Sequence, residues 1–210
     1  MICFFTRDFR HRMRFFSSDP VQPPHLKFSK SRHAWEAAKK KLMLLPVRIL
    51  RQEQAFARAP GPNDPPPRVL HGRRKGRREM RRSFFFFLQR QKSRHYLVLG
   101  LEALMLPISG LAAILPGPNI FFYTLAIVMI TQWRAARGIS RLLKRRSEIE
   151  FVFDPHLAAW EKAVAGRNPE QCAAALNAAA AAHGLGNLDK ILGLKRPEAR
   201  SDACPAAGDS

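Results

Sequence analysis

The sequence predicts an all-α membrane protein with one two-helix transmembrane hairpin, a basic N-terminal helix and a small C-terminal helical bundle. Three observations lead to this prediction: an apolar block at residues 96–133, an excess of basic residues on both sides of it, and capped, alanine-rich segments near the C-terminus. The hydrophobic content of 46% is close to that of an average globular protein, so the clustering of the apolar residues decides the class.

The apolar block consists of two runs separated by a turn. Residues 96–115 (YLVLGLEALMLPISGLAAIL) contain one charged side chain, Glu102, and as a helix they reach about 30 Å, the thickness of the hydrocarbon core of a bilayer. Residues 120–133 (IFFYTLAIVMITQW) contain none. The turn motif between the runs is Pro116, Gly117, Pro118 and Asn119. We expect two transmembrane helices; a buried hairpin in a compact α domain is the alternative.

Basic residues flank the apolar block on both sides. The chain has 36 lysines and arginines against 16 acidic residues, and its net charge of +20 restricts its partners to polyanions. Positive loops stay on the inner side of a membrane, so two passes place both flanks on one side. The residues expected to face lipid headgroups are Arg90, Lys92, Arg94, Arg134, Arg137 and Arg141. The expected location is a bacterial or mitochondrial inner membrane.

Glu102 is the candidate ion-coupling residue. A carboxyl group inside an apolar helix is costly unless it pairs with a cation, faces water or takes up a proton. Burial would raise its pKa and suit it to binding a proton or a cation. Because Glu102 lies about two helical turns from the basic flank, an interfacial role beside headgroups or an arginine is the alternative.

Changes in composition divide the chain into eight segments. In order they are 1–28, a basic tail or targeting segment; 29–59, a basic amphipathic helix; 60–72, a Pro-rich linker; 73–95, a basic juxtamembrane segment; 96–133, the transmembrane hairpin; 134–150, a basic juxtamembrane helix; 151–194, a small helical region; and 195–210, a disordered tail. The first segment has the arginine-rich composition of a mitochondrial transit peptide or of a solvated tail. The second suits either an anionic lipid surface or packing on the rest of the protein.

Two helix starts are expected in the C-terminal region. They lie at Asp154-Pro155 and at Asn168-Pro169, where a capping side chain precedes a proline at the first helical position. A glycine follows each segment at a position that suits the end of a helix. A third short helix is expected over residues 188–194.

No enzymatic site is expected. The sequence contains no phosphate-binding glycine loop, nucleophile elbow, metal-ligand cluster or paired carboxylates, so we predict no catalytic residue, no cofactor and no bound metal. The expected partners are an anionic lipid membrane and either a second copy of the chain or other membrane proteins. Nucleic acid is disfavoured, because basic residues are sparse over residues 154–194, where a recognition helix would lie.

Three short stretches around the turn resemble a known family. They are Leu106-Pro107, residues 115–119 (LPGPN) with Phe122-Tyr123, and residues 132–138 (QWRAARG). Together with an upstream basic helix containing Trp35 and a small downstream helical region, they resemble the mitochondrial K+–H+ exchange-related family, which has bacterial members. The resemblance covers residues 30–195, although only the part around the turn is specific. It implies an inner-membrane protein that takes part in potassium–proton exchange and monovalent cation homeostasis as a component or regulator.

Two further interpretations stay open. A Pro-Gly-Pro motif also resembles the first helix of amino-acid exporters of the lysine and homoserine export type, but this chain lacks their six spans. An alternative function is that of a membrane-anchored assembly or scaffold protein, which binds lipid, RNA or a partner through its basic segments. A soluble nucleic-acid binder is the third function considered.

Overall fold

The computed structural model describes residues 1–18, 47–73, 76–111, 120–186 and 188–194. These residues form four strands and six helices. The strands are β1 (Ile2–Arg7), β2 (Met13–Ser17), β3 (Arg68–His71) and β4 (Glu150–Phe153). The helices are α1 (Val47–Ala57), α2 (Arg77–Leu111), α3 (Ile120–Lys144), α4 (Pro155–Gly166), α5 (Pro169–His183) and α6 (Leu188–Leu192).

The four strands form one mixed sheet in the order β2-β1-β3-β4. Strand β2 pairs with β1 in antiparallel orientation, whereas β1, β3 and β4 are parallel to one another. Parallel neighbours require crossover connections. Helix α1 lies in the connection that leads from β2 to β3, and the hairpin of α2 and α3 forms the connection from β3 to β4.

Helices cover both faces of the sheet and give a three-layer α/β/α arrangement. Phe5 and Phe15 pack on the first face with α1, α2 and α3, and Phe4 and Phe16 pack on the second face with α4, α5 and α6. Successive side chains of a strand point to opposite faces, so each Phe-Phe pair supplies one ring to each core. The apolar runs in β1 and β2 are therefore those of a sheet that is buried on both sides.

The prediction of an all-α membrane protein is wrong. A sheet organises the chain, and two of its strands come from residues 1–28, which were assigned to a tail or targeting segment. Within the described ranges, none of the helices combines the length with the run of apolar residues that crossing a bilayer would require. The predicted transmembrane hairpin and the multi-pass location in an inner membrane are therefore wrong as well.

The composition of the hairpin explains this correction. Helix α2 runs without interruption from the basic segment into the apolar one, so its second half continues a helix whose first half belongs to the core. Helix α3 likewise continues from its apolar residues into Gln132, Arg134 and Arg137. One face of each helix also packs on its neighbour, so each helix has protein on one side where lipid on all sides was expected.

Helix α1 belongs to the core on the first face. It is the described part of the basic helix predicted over residues 29–59, and residues 19–46 lie outside the described residues. Ala55 and Phe56 are buried against β2 and the hairpin, and the Phe56 ring stacks on Phe15 at a centroid distance of 5.1 Å. In the described part, the apolar stripe of this helix therefore packs on protein.

The two predicted C-terminal helix starts are confirmed. Asp154 caps α4, and its Oδ1 accepts a hydrogen bond from the amide of Leu157 at 2.8 Å. Asn168 caps α5 in the same way, with Oδ1 accepting from the amides of Glu170 and Gln171. The predicted separate bundle is corrected, because these helices bury their apolar side chains against the second face of the sheet.

Candidate docking surface on the helical hairpin

Helix α2 is the longest element of the fold, and its two halves have different surroundings. Its 35 residues extend about 52 Å at 1.5 Å per residue. In the first half, Met80, Phe84 and Leu88 are buried in the core on the first face of the sheet. The second half follows α3, and its other side is open to solvent.

The outward face of α2 exposes large apolar side chains. Phe86, Leu97, Leu101 and Leu104 are 70%, 69%, 61% and 65% exposed. Their spacing places them within about 60° of one another around a helix of 3.6 residues per turn. The buried side chain of Leu99 lies on the opposite side of the helix. These four residues define the outward stripe, an exposed apolar surface of the kind that marks a contact site.

Basic residues accompany the outward stripe. Of the six residues predicted to face headgroups, Arg90, Arg94, Arg134 and Arg137 are exposed. Lys92 lies over the ring of Tyr96, with Nζ 5.7 Å from the ring centroid. Arg141 differs, because it is half-buried and its guanidinium donates to the carbonyl oxygen of Ala59 at 3.4 Å. By helical spacing, Arg90 and Arg94 share the side of α2 that carries the outward stripe, whereas Lys92 lies on another side. Arg134 and Arg137 belong to α3, and Arg141 ties α3 to the end of α1.

A buried polar cluster joins α1, α2 and α3 beneath the outward stripe. The Nδ1 of His95 makes a hydrogen bond with Oε1 of Gln132, and the Nε2 of His95 lies 3.5 Å from Oε2 of Glu53. Because an amide oxygen can only accept, Nδ1 carries the imidazole proton, and Nε2 of the neutral ring is an acceptor. A protonated Glu53 can donate to it.

The pKa shifts in this cluster agree with that assignment. Burial raises the pKa of Glu53 to about 7, although the nearby charge of Arg94 opposes the shift. Burial also lowers the pKa of His95, so that its imidazole is neutral near pH 7. Glu53 is therefore the group of this junction whose pKa lies near neutral pH.

Glu102, the predicted ion-coupling residue, lies on the inner side of α2. Its side chain is 9% exposed, and its Oε2 has no hydrogen-bond partner among the residues that the structure describes. Burial raises the pKa of this carboxyl group. The alternative in which Glu102 turns outward to headgroups or an arginine does not fit this position, and coupling to an ion stays a prediction.

A close helix contact holds the base of the hairpin in place. A Cβ atom at Gly138 of α3 would overlap with the carbonyl oxygen of Phe56 in α1, so only glycine allows the two backbones to approach this closely. Ala135 and Ala136, also buried, extend the contact of small residues. The end of the hairpin next to α1 is therefore fixed in position, and the outward stripe lies on α2 beyond it.

The sequence singled out the apolar and basic residues of the hairpin, as a membrane span and its flanks, but missed the polar cluster. Glu53 lies 42 positions before His95, and Gln132 follows 37 positions after it, so no local motif connects them. The available signal was the position of His95 and Gln132 at the outer ends of the two apolar runs. The predicted turn motif, Pro116 to Asn119, lies outside the described residues.

Comparisons with protein-family models, with curated proteins and with solved structures found no match. Within the described residues, no group of histidine, cysteine or acidic side chains is arranged to hold a metal ion.

Proposed function

We propose that this chain is a docking protein that binds an anionic lipid surface through the outward face of α2, lying on that surface without crossing it. The observation that carries the proposal is the outward stripe with its basic neighbours on one projecting helix. A helix with one apolar face and flanking arginines binds in the plane of the interface, with the apolar side chains among the upper acyl groups and the cations at the headgroups.

The charges along the outward face favour a lipid partner over a second copy of the chain. Between Met80 and Leu111 the only acidic residue is Glu102, which is turned inward. Two copies that met along their stripes would bring Arg90 and Arg94 of both chains together, and like charges oppose such pairing. An anionic surface offers an apolar layer and compensating negative charge at the same time.

Two exposed aromatic side chains lie on the hairpin outside the outward stripe. The hydrogen bond between His95 and Gln132 sets these residues at one level of the hairpin, so the neighbouring Tyr96 and Trp133 share a level too. Both rings are exposed, by 47% and 55%. Tyrosine and tryptophan are enriched at the boundary between headgroups and acyl chains, where one edge of the ring is wet and the rest is apolar.

A role in potassium–proton exchange, implied by the family resemblance, stays a prediction. Docking to a lipid surface is compatible with a regulator of such exchange, which would act on a separate transporter. The docking proposal does not depend on this role.

Vesicle flotation tests the docking proposal. We expect the chain to float with vesicles that contain phosphatidylglycerol and to stay in solution with phosphatidylcholine alone. The triple substitution Leu97→Gln, Leu101→Gln and Leu104→Gln should lower the partition coefficient by about a hundredfold, because three largely exposed leucines lose their transfer to the apolar layer. Arg90→Gln should lower it by about fivefold.

The matched control is Phe9→Gln, which replaces an exposed apolar side chain in the turn between β1 and β2. This variant should float like the parent. Equal flotation of the triple variant and the parent would exclude the outward stripe as the lipid contact. If analytical ultracentrifugation instead shows a dimer that the triple variant abolishes, while no variant floats, the occupant is a second copy and the proposal fails.

A further inference from the structure

A cleft opens at the carboxyl ends of the parallel strands. Arg7 ends β1, and Arg73 follows β3 by two residues, so both lie at the same edge of the sheet. The cleft between this edge and α4 has a volume of about 410 Å³. Open α/β sheets bind their ligands at this edge, outside the carboxyl ends of the strands. The charged or titratable side chains that line the cleft are Arg7, His11, Arg73, Glu161 and Lys162.

A glycine brings the end of β3 against α4. A Cβ atom at Gly72 would overlap with the carbonyl group of Leu157, so the strand end and the helix can touch only because this residue is glycine. One turn further along α4, Glu161 meets Arg73, with Oε2 3.5 Å from Nε. Oε1 of Glu161 also accepts a hydrogen bond from Oγ1 of Thr6 at 3.2 Å. The wall of the cleft is thus fixed by one carboxylate that contacts both strand ends.

Two other cations face the cleft without compensation. In the part of the chain that the structure describes, neither Arg7 nor Lys162 forms an ion pair. The backbone at Arg7 is held in place, because its carbonyl oxygen accepts a 2.7 Å hydrogen bond from Nε1 of the buried Trp160. Three cations therefore surround one carboxylate, which leaves two positive charges for a ligand.

The turn between β1 and β2 brings His11 to the lining of the cleft. His11 has a left-handed backbone conformation with a φ of 59°. Asp8 stabilises this turn, because its carbonyl oxygen accepts from the amide of His11 at 2.9 Å and its Oδ1 accepts from the amides of Arg10 and Arg12. These hydrogen bonds fix the backbone at His11, and its side chain lines the cleft.

We propose that this cleft binds the phosphate group of a phosphorylated small molecule. A phosphomonoester carries close to two negative charges at neutral pH, which matches the two uncompensated cations. Arg7 can bind phosphate oxygens through its planar fork, and Lys162 can act as a point charge. The cleft is within the usual range of about 300–1,000 Å³ for small-molecule sites, so it has room for the rest of the molecule.

The position of the cleft favours a free ligand over a lipid headgroup. Lys162 and Glu161 belong to α4, on the second face of the sheet, whereas the outward stripe belongs to α2 on the first face. A chain that docks on lipid through α2 therefore turns α4 away from the headgroups. The cleft and the docking surface use different residues, so failure of the docking proposal would remove this preference for a free ligand but would leave the phosphate site itself unaffected.

Isothermal titration calorimetry with inorganic pyrophosphate and with glycerol 3-phosphate tests the site. We expect saturable binding with one ligand per chain. Arg7→Gln and Lys162→Gln should each weaken it by about tenfold or more, because each removes one charge-assisted hydrogen bond to phosphate. Both side chains are exposed, and unchanged thermal unfolding curves would verify that the variants fold. Lys144→Gln removes the same charge from the exposed end of α3, away from the cleft, and should bind like the parent.

The outcomes separate a site from general attraction to a basic protein. If neither probe shows saturable binding and vesicles of phosphatidic acid show no dependence on Lys162, the proposal is overturned. If the vesicles bind the parent and Lys162→Gln weakens that binding, the phosphate site stands and its ligand is a lipid headgroup. An equal loss of affinity in Lys144→Gln also overturns it, since the effect would then follow net charge. Loss confined to Arg7→Gln and Lys162→Gln supports the site.

Discussion

In the two halves of α2, the burial of side chains does not follow the local composition of the sequence. The first half, residues 77–95, is dense in arginine, yet Phe84, Phe85 and Phe87 are buried in the core on the first face of the sheet. The second half is the most apolar stretch of the helix, yet Leu97 and Leu101 are largely exposed. Burial follows the partner that a helix face meets, and the sheet offers that partner only to the first half.

The phenylalanine run and the leucine stripe have different roles in the protein. Four consecutive phenylalanines cannot all face one partner, and Phe86 is the one that points outward. It begins the stripe that Leu97, Leu101 and Leu104 continue. The first half of the helix therefore contributes to the stability of the fold, whereas the outward stripe is exposed and available for the contact that we propose.

Replacing neighbouring phenylalanines should give the largest difference between these roles. Phe84 is fully buried, and its ring packs on Phe5, Phe15 and Phe151 at centroid distances of 5.1–5.7 Å. Phe84→Ala should lower the free energy of unfolding by about 3–5 kcal/mol. Phe86→Ala, two positions along, should change it by no more than about 0.5 kcal/mol. Denaturant titrations of both variants measure this, and similar losses would contradict the division of α2.

Substitution of two glycines by alanine should distinguish the tightly packed base of the hairpin from its solvent-exposed side. Gly138→Ala inserts a methyl group against the Phe56 backbone, and we expect a loss of about 2–3 kcal/mol. Gly100 of α2 has open space around it, so Gly100→Ala should raise the free energy of unfolding by about 0.5–1 kcal/mol. Thermal unfolding of both variants gives the comparison. A stabilised Gly138→Ala variant would show that α1 and α3 are not in close contact.

The boundary between the two halves should respond to pH through Glu53. Its pKa is 4.5 in an unfolded chain and about 7 in the fold. The folded state thus binds the proton more tightly, and the parent should lose stability as the pH rises from 4.5 to about 7. After allowance for partial exposure, the loss is about 2 kcal/mol.

Glu53→Gln removes this titration. Relative to the parent, the variant should become more stable as the pH rises through the same interval, and denaturant titrations at its two ends measure the change. Other titrating groups that the substitution leaves unchanged affect the stability of both proteins equally. The difference in stability between the variant and the parent therefore reports on Glu53. A constant difference between the two proteins at all pH values would show that the folded state does not protonate Glu53 preferentially.

Helices α4 and α5 could be predicted from the sequence because their signals are local. Asp154 and Asn168 each cap the helix that begins at the next residue, and the proline there has no amide hydrogen to leave unpaired. Gly184 ends α5 in a left-handed conformation, as its position indicated. These arrangements involve residues only a few positions apart, so the sequence contains all the parts.

The sheet could not be predicted because its stabilisation is non-local. Strands β3 (RVLH) and β4 (EFVF) have four residues each, too few to show an alternating pattern. Strand β1 places aromatic residues next to arginines, the composition that also suggests a targeting segment. These segments form strands because they pair with one another and because helices cover both faces of the sheet. Both kinds of contact join residues that are far apart in the sequence.

The candidate surface was predictable in part. Its apolar and basic residues stand together in the sequence, and the structure does place Arg90 and Arg94 next to the exposed leucines. The length of the apolar run suggested lipid on all sides of each helix. The structure limits the exposed apolar surface to one side, because α3 and the polar cluster around His95 occupy the other.

The insertion of the hairpin between β3 and β4 sets the order in which the chain can be assembled during synthesis. Arg68 and Glu150, which pair in the sheet, are 82 positions apart. At about 5–20 residues per second, a ribosome needs roughly 4–16 s to cover that distance. Throughout this interval the outer edge of β3 presents unpaired backbone groups, the kind of edge that recruits foreign strands. Nascent chains of this protein should therefore engage chaperones until β4 has emerged.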